Sequence, residues 1–328
     1  MTLHHHHGLF FATFAILYFF TIPFPTISAR SFPSSMSSMQ KHNPWEALQD
    51  FTSSRPGQTH KGLSTVKNYF HQFGYIPSAL PTNFNDDFDE TLVFAIQTYQ
   101  KNFHLNVTGE LDDYTVKHMM QPRCGVPDNF HAEKGNTTTG STRSMGNDKT
   151  HFHMVSLYSF FEGDPRWPEG TKQLTYAFLP QNNLHNDYKS AIASAFNQWT
   201  PVVNIAFEET SSYEMADIKV AFYHGAHGDG SPFDGPMGVL AHAFAPTDGH
   251  FHLDADEYWV ASGDVTQSPV DRAMDLESVA VHEIGHLLGL GHSKDQNAIM
   301  YPFIPSRTKK VDLTSDDIDG IKALYGFN

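Results

Sequence analysis

The stretch VAVHEIGHLLGLGHSKDQNAIMYP, residues 279–302, limits what this chain of 328 residues can be more than any other. Apolar residues recur at helical spacing from about 276 to 290, so His282 and His286, four apart, project from one face. Imidazoles one turn apart can share one ion, and Glu283 beside the first is within reach of a water on that ion. Gly289 lets the helix stop and the backbone turn, as His292 requires if it is to swing back as a third ligand. Three neutral imidazoles with one open position are the donor set of a catalytic zinc, not a structural one. A bare H-E-x-x-H arises by accident in a chain with 21 histidines; the extended pattern followed by A-I-M-Y-P does not.

The termini suggest export. Gly8 to Phe20 is nearly all apolar and is followed by a Pro-broken stretch ending at Ser28-Ala29, which reads as a signal peptide over 1–29. Pro23 and Pro25 interrupt it too soon for a membrane span, and histidines 4–7 would leave with it. No second apolar run and no hydrophobic tail follow, so neither a transmembrane helix nor a lipid anchor is expected. The sequons at Asn106 and Asn136 suit a secreted glycoprotein, in the extracellular space or cell wall. A net charge of −15 without a basic cluster argues against nucleic acid. Acidic runs such as DDFDE, DADE and TSDDID are either solvated faces or calcium ligands. Cys124 is the single cysteine, so stability must come from a core and bound ions, not an internal disulfide.

Periodicity divides the chain. Residues 30–60 are Ser- and Pro-rich, with one short helix near Trp45 to Phe51. Leu63, Val66, Phe70 and Phe73 predict a helix stopped by Gly74; others are predicted from about 90 to 103 and from 111 to 120, where Pro122 ends the last. These make a small three-helix bundle over about 60–121 with Tyr69 and Tyr99 in its core. Residues 129–150 read as an exposed, cuttable linker. Beyond it, strands are predicted at 174–179, 204–209, 217–223, 239–244 and 252–260, and helices at 187–199, 276–290 and 313–326. That order describes an α+β domain, a twisted mixed sheet with three helices, over 151–328.

With these motifs in view, the chain resembles the matrixins, the matrix metalloproteinases of the metzincin clan, and among them the plant-type members without a haemopexin-like propeller. The resemblance implies a secreted zinc endopeptidase, made as a latent zymogen with a peptidoglycan-binding-like propeptide over 30–150, that cleaves protein or peptide substrates as a monomer. It makes Glu283 the general base and Met300 the residue of the Met-turn beneath the zinc. It gives PRCGVPD, residues 122–128, the part of the cysteine switch, in which Cys124 fills the open zinc position and Arg123 pairs with Asp128. It implies a structural zinc on His227, Asp229, His242 and His252, with His224 and His250 as competitors. It implies calcium on Asp234, Asp254 and Glu257 with carbonyls around Gly235, Met237 and Val239, and a further calcium ligand at Asp217. The short TDGHF loop departs from the family's glycine-rich run there. Substrate would lie antiparallel along an edge strand near 239–244, with Leu240 and Ala241 lining the cleft and cleavage before an apolar residue.

Two other functions fit parts of the sequence. A catalytically silent, zinc-stabilised binding protein would show loss of the base, but Glu283 is present. A polysaccharide-binding module at the N-terminus would need exposed aromatics, for which Tyr69 and Tyr99 are the candidates.

Overall fold

The computed structural model describes residues 43–52, 54–80, 83–128 and 156–326. The expected signal at 1–29, the linker at 129–150, Asn136 and the start of the second domain at 151 lie outside the described residues.

The first folded part is helical, as the periodicity requires. A 3-10 turn, Glu46–Phe51, precedes α1 (Leu63–Gln72), α2 (Glu90–Asn102) and α3 (Asp113–Met119). Asp89 caps α2 by accepting from the Leu92 amide, and Asp112 caps α3 by accepting from Thr115, each satisfying a donor that no helical carbonyl can reach. The core is strongly aromatic: Trp45, Tyr69, Phe70, Phe73, Tyr99 and Phe103 are all buried. Tyr69 and Tyr99 are 4% and 0% exposed, so neither offers the face to solvent that a sugar would need.

The chain then adds strand β1, Arg123–Cys124, to the edge of the second domain's sheet before that domain begins. β2 (Gln173–Phe178), α4 (Asn186–Val203), β3 (Ala206–Glu209), β4 (Ile218–Tyr223), β5 (Val239–Ala243) and β6 (His250–Asp254) follow. The sheet order is β1-β5-β6-β4-β2-β3, in which only β5 and β6 run antiparallel. Next come β7 (Tyr258–Val260), β8 (Ala273–Asp275), α5 (Leu276–Leu287) and α6 (Ser315–Tyr325). Helices α4 and α5 pack together on the sheet, joined by a bond from the Trp199 indole to the Val281 carbonyl at 2.8 Å inside an apolar core. No helix among the described residues is long and apolar enough to cross a membrane.

Three sequence expectations need correction. The strand expected at 252–260 is two strands in different sheets, β6 and β7. The chain turns at Ala255 to Glu257, because the carboxylates of Asp254 and Glu257 are drawn inward to the amides of Gly235 and Met237. Helix α4 continues past Trp199 to Val203; Pro201 lies in its last turn, and Asn204 closes it in the left-handed conformation. In the TSDDID run only Asp319 of the three aspartates is solvated; the other two are bonded to the chain. Asp317 completes a capping box with Thr314 and, fully buried, also accepts from the Ile299 and Met300 amides at 2.9 and 3.0 Å. Asp316 accepts from the Leu157 and Tyr158 amides and from the Ser293 hydroxyl. Both carboxylates anchor the backbone that supports the histidine cluster.

Candidate active site and metal centres

Helix α5 presents His282 and His286 one turn apart, and the chain doubles back through Gly289, φ 101°, to bring in His292. His282 Nδ1 donates to the Ile299 carbonyl at 2.7 Å, and His286 Nδ1 donates to the Leu290 carbonyl at 2.8 Å. Each Nδ1 therefore carries the proton, and each Nε2 has only a lone pair to offer. Yet His286 Nε2 lies 3.1 Å from His282 Nε2, 3.2 Å from His292 Nε2 and 3.4 Å from Cys124 Sγ. All four side chains are buried, and their donor atoms lie within 4.8 Å of one another. Convergent lone pairs in a dry site repel unless a cation sits among them; the donor set fits zinc. Burial also holds the pKa of His282 and His286 well below the usual value, keeping both in the neutral, ligating form.

Glu283 projects beside this cluster, fully buried, and neither carboxylate oxygen has a hydrogen-bond partner among the described residues. Burial pushes its pKa up to about 8, against a lowering contribution from the neighbouring Cys124 thiol. Leaving a carboxylate unsatisfied costs about 1–3 kcal/mol or more, so packing does not account for its presence. Met300 packs against Gly285, on the helix turn between His282 and His286. A β-carbon at Gly285 would collide with the Met300 sulfur and press on Trp199, so the helix must carry glycine where it crosses Met300.

The PRCGVPD segment lies along β5. Arg123 and Cys124 pair in parallel with Val239 and Ala241, and Gly125 donates to the Ala241 carbonyl at 2.8 Å. On the other side, Cys124 donates to the Pro302 carbonyl at 2.9 Å. The expected pair forms: Arg123 Nη2 is 2.5 Å from Asp128 Oδ1, with both side chains 0% exposed. Phe73 and Phe303 sandwich the guanidinium, 3.6 and 4.7 Å from their ring centres. Asp128 also accepts from Tyr75 OH at 2.7 Å and His292 Nδ1 at 2.8 Å. Burial alone would raise its pKa, but Arg123 and His292 hold the carboxyl down at about 2.

A second donor cluster forms between β5, β6 and the loop before them. Asp229 Oδ2 lies 2.8 Å from His227 Nε2, 2.7 Å from His242 Nε2 and 2.9 Å from His252 Nδ1. The competitors fall outside it: His224 pairs with Asp256 and His250 with Asp248, at 3.3 and 2.6 Å. Nearby, Asp234, Asp254 and Glu257 form a carboxylate group. Burial, with repulsion from Asp256, raises Asp254; burial, with repulsion from Asp254, pushes Asp234 up to about 7; burial, with repulsion from Asp254 and Asp234, pushes Glu257 up to about 8. Glu257 Oε2 has no hydrogen-bond partner among the described residues. Repelling carboxylates with an open oxygen suit a hard cation such as calcium. Asp217 lies at the far end of β4 from this group and accepts from the Thr175 amide and hydroxyl at 2.7 and 2.8 Å.

Comparison with known proteins decides the family. The chain is 58% identical over 332 residues to metalloendoproteinase 1 of Glycine max, covering 100% of each. The chain belongs to the matrixin family. A family profile described as matrixin matches residues 166–326, and one described as a putative peptidoglycan binding domain matches 59–119. Metalloendoproteinase 2-MMP of Arabidopsis thaliana is 48% identical, covering 97% of this chain and 86% of that protein. Neutrophil collagenase of Homo sapiens is 36% identical, covering 82% of this chain and 51% of the other. This matrixin is accordingly a zinc-dependent metalloendopeptidase that acts on protein substrates, with calcium expected as a further ion.

Several contacts of this matrixin's site were not visible in the sequence. Tyr75 and Asn102 form a buried relay to Asp128, Asn102 donating to the Tyr75 hydroxyl at 3.0 Å. His118 of α3 bridges the two domains, 2.6 Å from Tyr99 OH and 3.0 Å from Tyr301 OH. No local pattern marks these residues, because each looks like an ordinary core or surface position until partners far along the chain are brought beside it. Asn106 is exposed on the turn after α2.

Proposed function

We propose that this matrixin is a secreted zymogen whose switch segment keeps it latent and whose released form cleaves extracellular proteins. In this reading residues 1–29 are a signal peptide, 30–150 a propeptide and 151–328 the catalytic domain. His282, His286 and His292 hold the catalytic zinc, with Cys124 as the fourth ligand of the latent form. His227, Asp229, His242 and His252 hold a structural zinc, and Asp234, Gly235, Asp254 and Glu257 a calcium. The observation that carries the reading is the convergence of three imidazole lone pairs and the Cys124 sulfur next to an unpartnered Glu283.

Bound zinc makes a water acidic enough to lose a proton near neutral pH and polarises the scissile carbonyl. Glu283 takes that proton as general base and delivers it to the departing amine. β1 occupies the groove beside β5, so the switch must leave before β5 becomes a free edge for a substrate strand, with Leu240 and Ala241 at its margin. A cut between about 129 and 156 releases it.

The test is peptide cleavage by the cut chain, with and without a zinc chelator, together with Glu283→Ala. Activity is expected to fall at least 100-fold in both cases. Full activity in the variant, or indifference to chelation, rules the mechanism out. Cys124→Ser is expected to give a zymogen that activates without an added protease; an inert, uncut Cys124→Ser chain would contradict the latency assignment.

A further inference from the structure

A pocket opens beside Glu283, between the first half of α5 and the chain leaving the Met300 turn. Leu240, Val279, Ile299 and Phe303 give it apolar walls, and Cys124 stands at one end. Lys310 belongs to the other end. Its backbone amide donates to Ser278 Oγ at 2.8 Å, and Ser278 lies five residues before Glu283, about 7.5 Å along the helix. Lys310 Nζ donates to the carbonyls of Gln296 and Ala298 at 3.0 and 2.5 Å. An ammonium has three donors, and no acceptor among the described residues takes the third. Asp317 is already committed to the Ile299, Met300 and Thr314 amides, and no carboxylate among the described residues forms an ion pair with Lys310.

The two carbonyl bonds fix the ammonium, 5.9 Å from the centre of the Tyr301 ring, beside a pocket whose walls are mainly apolar and whose other polar members are Ser278, Tyr301 and, at the catalytic end, His282 and Glu283. A side chain with only carbon atoms fills such a pocket but leaves the third donor unanswered. One that also ends in an acceptor answers it, and a bond to a charged donor is the stronger kind.

We propose that Lys310 determines the specificity of this pocket, so that it accepts glutamate or glutamine after the scissile bond as well as apolar residues. The proposal rests on the endopeptidase reading of the site. Its test uses the full chain, cut in the 129–155 stretch, on three peptides that differ only in leucine, glutamine or glutamate at that position. The readout is the ratio of kcat/KM for the glutamine and glutamate peptides to that for the leucine peptide. Lys310→Met is expected to lower both ratios about tenfold or more, the worth of a hydrogen bond to a charged group. Lys310→Arg is expected to keep the glutamate ratio. If Lys310→Met does not fold, Lys310→Gln, with two donors for the same carbonyls, is expected to show the same fall.

Ratios that stay within about twofold in the folded variant overturn the proposal. So does a wild-type chain that cleaves the leucine peptide but neither of the others. Failure to cleave any peptide would instead overturn the endopeptidase reading, and this proposal with it.

Discussion

Asp128→Asn tests the latch at its most buried point. The Asp128 side chain is 0% exposed and holds Arg123 at 2.5 Å, Tyr75 at 2.7 Å and His292 at 2.8 Å. Asparagine keeps the shape and removes the charge. Arg123, also 0% exposed, keeps its bonds from Nε to the Cys124 carbonyl and from Nη2 to the amide oxygen but loses its only ion-pair partner among the described residues, and its Nη1 has no hydrogen-bond partner among them already. Removing one partner of a buried ion pair costs about 3–5 kcal/mol, because the remaining charge stays out of water. The undocked state escapes that cost by returning the guanidinium to solvent. At about 1.4 kcal/mol per tenfold, the undocked fraction rises roughly 100- to 4,000-fold. Cys124 is the single cysteine and is 4% exposed when docked, so its labelling rate with a thiol reagent reports that fraction. The uncut variant is expected to label at least about 100-fold faster than the wild type, and to cleave peptide in proportion. A folded variant that labels within a few-fold of wild type would refute the reasoning.

Two further outcomes follow from packing and burial. Gly285→Ala places a methyl against Met300 and Trp199, and is expected to lower unfolding stability by about 1–3 kcal/mol in denaturant titration; no loss would mean that the turn yields freely. His118, between two tyrosines, has its pKa pushed down to about 4 by burial and by Arg123. The unfolded chain therefore binds a proton between about pH 6.5 and 4 that the folded chain does not, and stability present above pH 6.5 is lost as pH falls through that window. From pH 7 to 4.5 the wild type is expected to lose about 2–3 kcal/mol more than His118→Gln, and parallel stability curves would contradict this.

The catalytic cluster was legible because helix period and one glycine are local facts: residues 282, 286 and 292 converge through spacing alone. Cys124 was legible through its motif and its solitude. In the second cluster, where spacing left His224 and His250 open, the structure brings His227, Asp229, His242 and His252 together and pairs the other two with Asp256 and Asp248. What the sequence withheld depends on partners far along the chain. β8 is three residues long and is a strand only because β7 lies beside it. The break between β6 and β7 follows from carboxylates drawn to amides some twenty residues away, at Gly235 and Met237. The Tyr75 contact joins the turn after the first helix to a segment 53 residues on, and the contact of His118 with Tyr301 arises when one domain docks on the other. Lys310 stood in a charged, featureless loop until its ammonium was found on the carbonyls of Gln296 and Ala298.

The central claim, that the cysteine of the switch completes the zinc site of the latent form, is open to X-ray absorption at the zinc edge of the uncut chain. With two zincs bound and one cysteine in 328 residues, the spectrum is expected to contain one sulfur for every two zincs, at about 2.3 Å. That sulfur should vanish when the prosegment is cut away and removed. A latent, uncut chain with full zinc and only nitrogen and oxygen neighbours would contradict the account.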